Sequence, residues 1–203
     1  MRKIILLASA LLAMFSVSIN ASASELDQQA EPSVVEEKMA YVYIGDSRTV
    51  GLNNVCHMSE EEDTFVIAAV GKGYKWWSKD GLNTLLTIEA EHPEYTAYTY
   101  IFNLGVNDTK NADKYEEVIT YLQGKGTTYV VSVNPVVDSK SSYVKNSRIE
   151  SLNNTYIQVA DNYIDTYSYL VENGFSAPDG IHYSKETYKT IYALIQNYIL
   201  QES

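Results

Sequence analysis

Cysteine is nearly absent. Cys56 stands alone in 203 residues, which excludes an intrachain disulfide and any cysteine-rich zinc site. Basic residues are scarce too, 15 against 26 acidic ones, for a formal net charge of −11. Such a surface repels a phosphate backbone or an anionic bilayer, so nucleic-acid and polybasic lipid binding drop out as default functions. The nucleotide fingerprints are missing: there is no G-x-x-x-x-G-K-[ST] and no G-x-G-x-x-G after the first strand-like run. No G-x-S-x-G occurs either, which disfavours an α/β-hydrolase. The acidic run Glu60-Glu61-Glu62-Asp63 lacks the ligand spacing of a calcium loop and reads as solvated. No internal repeat is found. With 45% hydrophobic and 20% charged residues, the remainder is an ordinary globular mix, of a length that suits one domain.

The first residues sort into three zones. Arg2 and Lys3 are positive, Ile4 to Ile19 is an apolar run broken only by serines, and Ala21-Ser22-Ala23 offers the small side chains that a signal peptidase accepts. The reading is a secretory signal over residues 1–23, cut after Ala23, leaving no membrane span. No cysteine at the cut point supports a lipid anchor. Residues 24–38 (SELDQQAEPSVVEEK) are acidic, contain Pro32 and show no apolar period, so they read as a solvated leader. The folded domain is expected over 39–203, secreted, with association at the cell surface left open. Its stability must come from the core, since it has no disulfide.

From residue 39 onward, short apolar runs alternate with longer segments of helical period. Ala40–Ile44, Thr64–Val70, Tyr98–Leu104 and Thr127–Val133 read as strands, with a shorter fifth at Tyr163–Tyr167. Leu82–Glu91, Ala112–Gln123, Val144–Asp161 and Lys185–Leu200 read as helices. Runs that are apolar throughout suit strands covered on both faces, so a three-layer, doubly wound and mostly parallel α/β sheet is expected. Ligands in such folds bind at the carboxyl ends of the strands. Three of those ends read Gly45-Asp46-Ser47, Gly71-Lys72-Gly73 and Gly105-Val106-Asn107-Asp108.

Ser47 follows the first strand and precedes a helix. It serves either as a plain helix cap or as a nucleophile with helix N-terminal amides close by. Asp179-Gly180-Ile181-His182 places a carboxylate three residues ahead of an imidazole. Folded back, Asp179 meets Nδ1 and leaves Nε2 to take a proton from a serine. The Asn107 amide and the Gly71 N–H are candidate donors to an oxyanion, with Gly73 open as an alternative to Gly71.

These four blocks, in this order and spacing, resemble the SGNH, or GDSL-type, hydrolase family over about residues 41 to 183. The resemblance implies a flavodoxin-like fold and a serine esterase that needs no metal or cofactor. It implies Ser47 as nucleophile, His182 as base, Asp179 as its orienting acid, and Ser47, Gly71 and Asn107 as the oxyanion hole. The sequence departs from the family at Arg48, which stands where an apolar residue is usual, and at Val70, where an asparagine is common. The expected substrate is a small acyl ester, acetyl first, on a small molecule or glycan. Acyl transfer, lipid or lysophospholipid hydrolysis and a non-catalytic cell-surface binding module stay open.

Arg48, Trp76 and Trp77 are candidate substrate contacts, the two tryptophans as a cleft wall suited to sugar rings. Core packing explains them equally well. Cys56-His57 is set aside as a thiol pair, because adjacent side chains rarely reach nucleophile–base geometry. His92 reads as a loop histidine, and Asp46 as a structural hydrogen-bonding residue.

Overall fold

The computed structural model describes residues 38–202. The expected export signal, and all of the acidic leader except Lys38, lie outside the described residues. Five strands are present: β1 (Met39–Gly45), β2 (Thr64–Ala68), β3 (Ala97–Asn103), β4 (Thr127–Val131) and β5 (Asn162–Ile164). They lie in the order β2-β1-β3-β4-β5, and every pairing is parallel. This is the flavodoxin-like order, whose switch point falls beside β1.

The alternation of side chains sorts the strands onto two cores. Val42 and Ile44 of β1, with Tyr100 and Phe102 of β3, face one core. It is covered by α3 (Leu82–Glu91), α4 (Ala112–Gln123) and α5 (Asn146–Val159). Tyr43 and Ile101 face the other core, under α1 (Ser47–Cys56), α6 (Thr166–Asn173) and α7 (Lys185–Glu202). Along α7 the fully buried stripe is Tyr188, Ile191, Ile195 and Ile199, a three-and-four spacing. Leu194 and Tyr198 are half-buried at its margins. A further helical turn, α2 (Tyr74–Trp76), runs through a π-helical turn at Trp77–Gly81 into α3. Among the described residues no helix is long and apolar enough to cross a membrane.

β4 ends at Val131 and α5 spans Asn146–Val159, each shorter than the sequence reading, and two other boundaries differ for local reasons. β2 stops at Ala68, where its register with Gly45 ends, and Val70 is left exposed. β5 stops at Ile164 because the Asp165 carboxylate accepts the Ser168 N–H and starts α6. Tyr and Thr favour a strand there, but the cap wins. The buried Thr166 hydroxyl then donates to Asn134 Oδ1 at 2.6 Å.

Candidate active site

Ser47 opens α1 at the carboxyl end of β1 and is 6% exposed. Asp46 caps the helix, its Oδ1 accepting the Arg48 N–H at 3.0 Å. Its Oδ2 accepts the Val106 N–H at 3.4 Å, tying the loop after β3 to that after β1. Burial pushes the Asp46 carboxyl above its ordinary range, opposed by the Arg48 guanidinium and by backbone N–H donors. With both oxygens engaged inside the protein, Asp46 is a structural cap. The Ser47 N–H, at the first position of the helix, has no intrahelical carbonyl to bond.

His182 comes to Ser47 from 135 residues away, with Nε2 at 2.9 Å from the serine Oγ. Its Nδ1 lies 2.6 Å from Asp179 Oδ2. The other Asp179 oxygen accepts the N–H groups of Ile181 (2.9 Å) and His182 (2.7 Å). Slight burial raises the Asp179 carboxyl, but the imidazole and the two backbone donors outweigh it and hold the group down at about 2. An ionised carboxylate only accepts, so Nδ1 carries the proton and Nε2 is left to accept from the Ser47 hydroxyl. Gly180 makes the turn possible. It sits at φ +90°, and a Cβ there would meet the Lys140 Cβ at 2.6 Å.

The loop carrying His182 is anchored from inside by Arg48, which corrects its expected place against substrate. The side chain is buried, and Nε donates to the Ile181 carbonyl at 3.1 Å. Nη1 donates to Asn134 O at 2.6 Å and Nη2 to Pro135 O at 3.3 Å. The guanidinium also lies 5.0 Å from the centroid of the Tyr183 ring, whose hydroxyl donates to the same Pro135 carbonyl. Three of its five N–H donors go to carbonyls and the residue is 4% exposed, so Arg48 holds the loop from within. Nothing local in the sequence announces this, since the partners lie 86, 87 and 133 residues away.

Asn107 stands at the rim after β3. Its Nδ2 donates one hydrogen to the Lys72 carbonyl at 2.8 Å, and the Tyr143 hydroxyl donates to its Oδ1 at 3.4 Å. Both contacts orient the amide, and its second N–H stays available. The neighbouring Asp108 does more than the sequence reading assigned to it. It accepts the Tyr74 N–H and an Asn111 Nδ2 hydrogen, each at 2.9 Å, and the hydroxyl of Tyr115. A Cβ on Gly73 would fall 2.4 Å from that carboxylate, so glycine is required for the approach. Gly71, exposed and at φ +69°, lies in the loop so held.

The tryptophans part company. Trp77 is 2% exposed and packs in the core, where it lines a small cavity with Tyr74, Ser78 and Leu82, apart from Gly71. Trp76 is half-buried and lines a cavity together with Gly71. Elsewhere, Cys56 is partly buried, which pushes its thiol up and away from thiolate chemistry. The His57 ring turns instead to Glu60 at 3.0 Å. His92 is bonded to Glu94 and packs on Phe65. Among the described residues no cluster of histidine, cysteine and carboxylates could hold a metal ion.

No family model and no curated protein matches the sequence. Solved structures match the fold. The C-terminal catalytic domain of Streptococcus pneumoniae peptidoglycan O-acetyltransferase A, with a methylsulfonyl adduct, is 15% identical at a TM-score of 0.61. The match covers 82% of this chain and 95% of that one. A GDSL-like lipase from Bacteroides thetaiotaomicron is 19% identical, TM-score 0.61, over 82% of this chain and 89% of its own. An acetyl xylan esterase is 16% identical, TM-score 0.58, over 78% and 98% respectively. The chain therefore has the fold of the SGNH/GDSL hydrolases.

Proposed function

We propose that the chain is an exported SGNH-type serine esterase that removes small acyl groups, acetyl first, from carbohydrate. The observation that carries this reading is the unbroken relay from Asp179 through His182 to Ser47, at 2.6 and 2.9 Å. His182 Nε2 takes the Ser47 proton as Oγ attacks the ester carbonyl. The oxyanion is received by the N–H groups of Ser47 and Gly71 and by the free N–H of Asn107. The imidazolium, steadied by Asp179, then protonates the departing alcohol. Water enters, gives its proton to Nε2, and frees the acid and Ser47. Every step uses groups of this chain.

The same acyl-enzyme would serve acyl transfer if a sugar hydroxyl replaced water. The fold likeness to a peptidoglycan O-acetyltransferase domain gives that second reading its support. The carbohydrate assignment draws on Trp76 beside Gly71, and export draws on the three zones ahead of Ser24. The test is hydrolysis of p-nitrophenyl acetate and butyrate, followed by acid release against acyl-sugar formation with a glycan acceptor. The reading expects faster turnover on acetate and free acid as the main product. Acyl-sugar as the main product would favour the transferase, and no turnover of any simple ester would oppose both.

A further inference from the structure

The loop after β2 carries charges that the ester chemistry leaves unused. Lys72, Lys75 and Lys79 line a cavity of about 380 Å³ with Trp76, Asp80 and Gly71. All three lysines are exposed, and no carboxylate lies within ion-pair distance of any of them among the described residues. Asp80 is the only acid in the wall. In a chain of net charge −11, three ammonium groups gathered around one acid are against the average.

Three other lysines are ion-paired, while Lys110, Lys140, Lys145, Lys185 and Lys189 have no carboxylate at ion-pair distance among the described residues. Lys38 meets Asp63 at 3.2 Å, Lys114 meets Glu117 at 2.6 Å, and Lys125 meets Glu89 at 2.8 Å. Lys75 and Lys79, one turn apart on one wall, repel each other, and Asp80 is the one carboxylate in that wall to offset them. A second cavity, of about 510 Å³, is lined by Thr109, Lys110, Arg148 and Ser151, with no acid in its wall. It follows Asn107 in the chain, as the first cavity adjoins Gly71. The acidic run Glu60–Asp63 leads into β2 and so lies at the amino end of that strand, away from its carboxyl end. The two cavities near the candidate oxyanion donors thus carry five basic side chains, Lys72, Lys75, Lys79, Lys110 and Arg148, against one acid, Asp80.

We propose that the substrate is an anionic glycan. Building on the esterase reading, Lys72, Lys75 and Lys79 hold a carboxylated or phosphorylated sugar unit beside the ester, and Trp76 packs against a ring face. The basic rim also draws the polyanion toward the site, an attraction that salt screens.

The probes are polygalacturonate for carboxylate, a phosphomannan for phosphate and xylan as the neutral glycan, titrated onto full-length Ser47→Ala protein. The inference expects at least one anionic polymer to bind more tightly than xylan. Its affinity should fall roughly fivefold or more on adding Lys75→Gln/Lys79→Gln, as for two lost exposed charge contacts. It should fall likewise when salt rises from about 0.02 to about 0.5 M. The stronger anionic polymer names the group held. Equal affinity for all three polymers, preference for xylan, or no response to either substitution or salt would overturn the proposal. If the double variant does not fold, the salt series on Ser47→Ala decides. Failure of the wild type on simple esters would strike the esterase reading alone, because binding is measured without turnover.

Discussion

Replacing Arg48 separates two roles that its sequence position leaves open. As an arm reaching for substrate, its loss would raise KM and leave stability unchanged. The structure instead spends its guanidinium on the carbonyls of Ile181, Asn134 and Pro135. In Arg48→Met the Ile181 and Asn134 carbonyls lose this donor, at about 1–3 kcal/mol for each buried group left unsatisfied, while Pro135 keeps the Tyr183 hydroxyl. Asp46, fully enclosed by protein, also loses a nearby positive charge. Removing the desolvated guanidinium offsets part of this, so a net loss of about 3–5 kcal/mol is expected, as for breaking one side of a buried charged pair. In a domain of this size that lowers Tm by roughly 6–20 °C. Because Ile181 adjoins His182, kcat on p-nitrophenyl acetate should also drop, measured well below the new Tm. Arg48→Lys should recover little, since one ammonium cannot span three carbonyls. Thermal unfolding and steady-state kinetics on the same preparations make the test. An unchanged Tm with a raised KM would refute the anchoring role.

Two further outcomes follow from the same geometry. Asn107→Ala removes one oxyanion donor, worth about 3–4 kcal/mol, so kcat should fall ~100-fold or more while KM changes little. A fall confined to KM would move Asn107 out of the oxyanion site. Asp179 is held down at about 2 in the folded chain, below the unfolded value, so it stays ionised through mild acid. Its contribution to stability is complete above the unfolded carboxylate range and declines as pH falls toward 2. Asp179 therefore does not titrate in mild acid, and an acid limb of kcat/KM in that range should persist, at lower rate, in Asp179→Asn. Disappearance of the limb in that variant would show that the carboxylate was the titrating group.

What could be read from the sequence was local. Asp179 and His182 are three residues apart with a glycine between them, so their meeting follows from a single tight turn. The helices over Ala112–Gln123 and Leu82–Glu91 were legible because three-and-four spacing needs no knowledge of a partner. The fold class followed from strands apolar on both faces, which two covering layers require. Arg48 was not legible in this way, for its orientation is decided by carbonyls far along the chain. Trp76 and Trp77 are adjacent and chemically alike. The π-helical turn that begins at Trp77 buries one and leaves the other half out, a distinction no spacing rule supplies. Asp108 drew notice only as part of a motif. Its hold on Tyr74, Asn111 and Tyr115 appears once β2 and β3 are placed on either side of β1.

The most direct measurement is the site and rate of covalent labelling by a fluorophosphonate, mapped by peptide mass spectrometry. A hydroxyl activated by an imidazole predicts one adduct, on Ser47, with labelling slowed by orders of magnitude in His182→Ala. Absence of an adduct on Ser47, or an equal labelling rate without the imidazole, would contradict it.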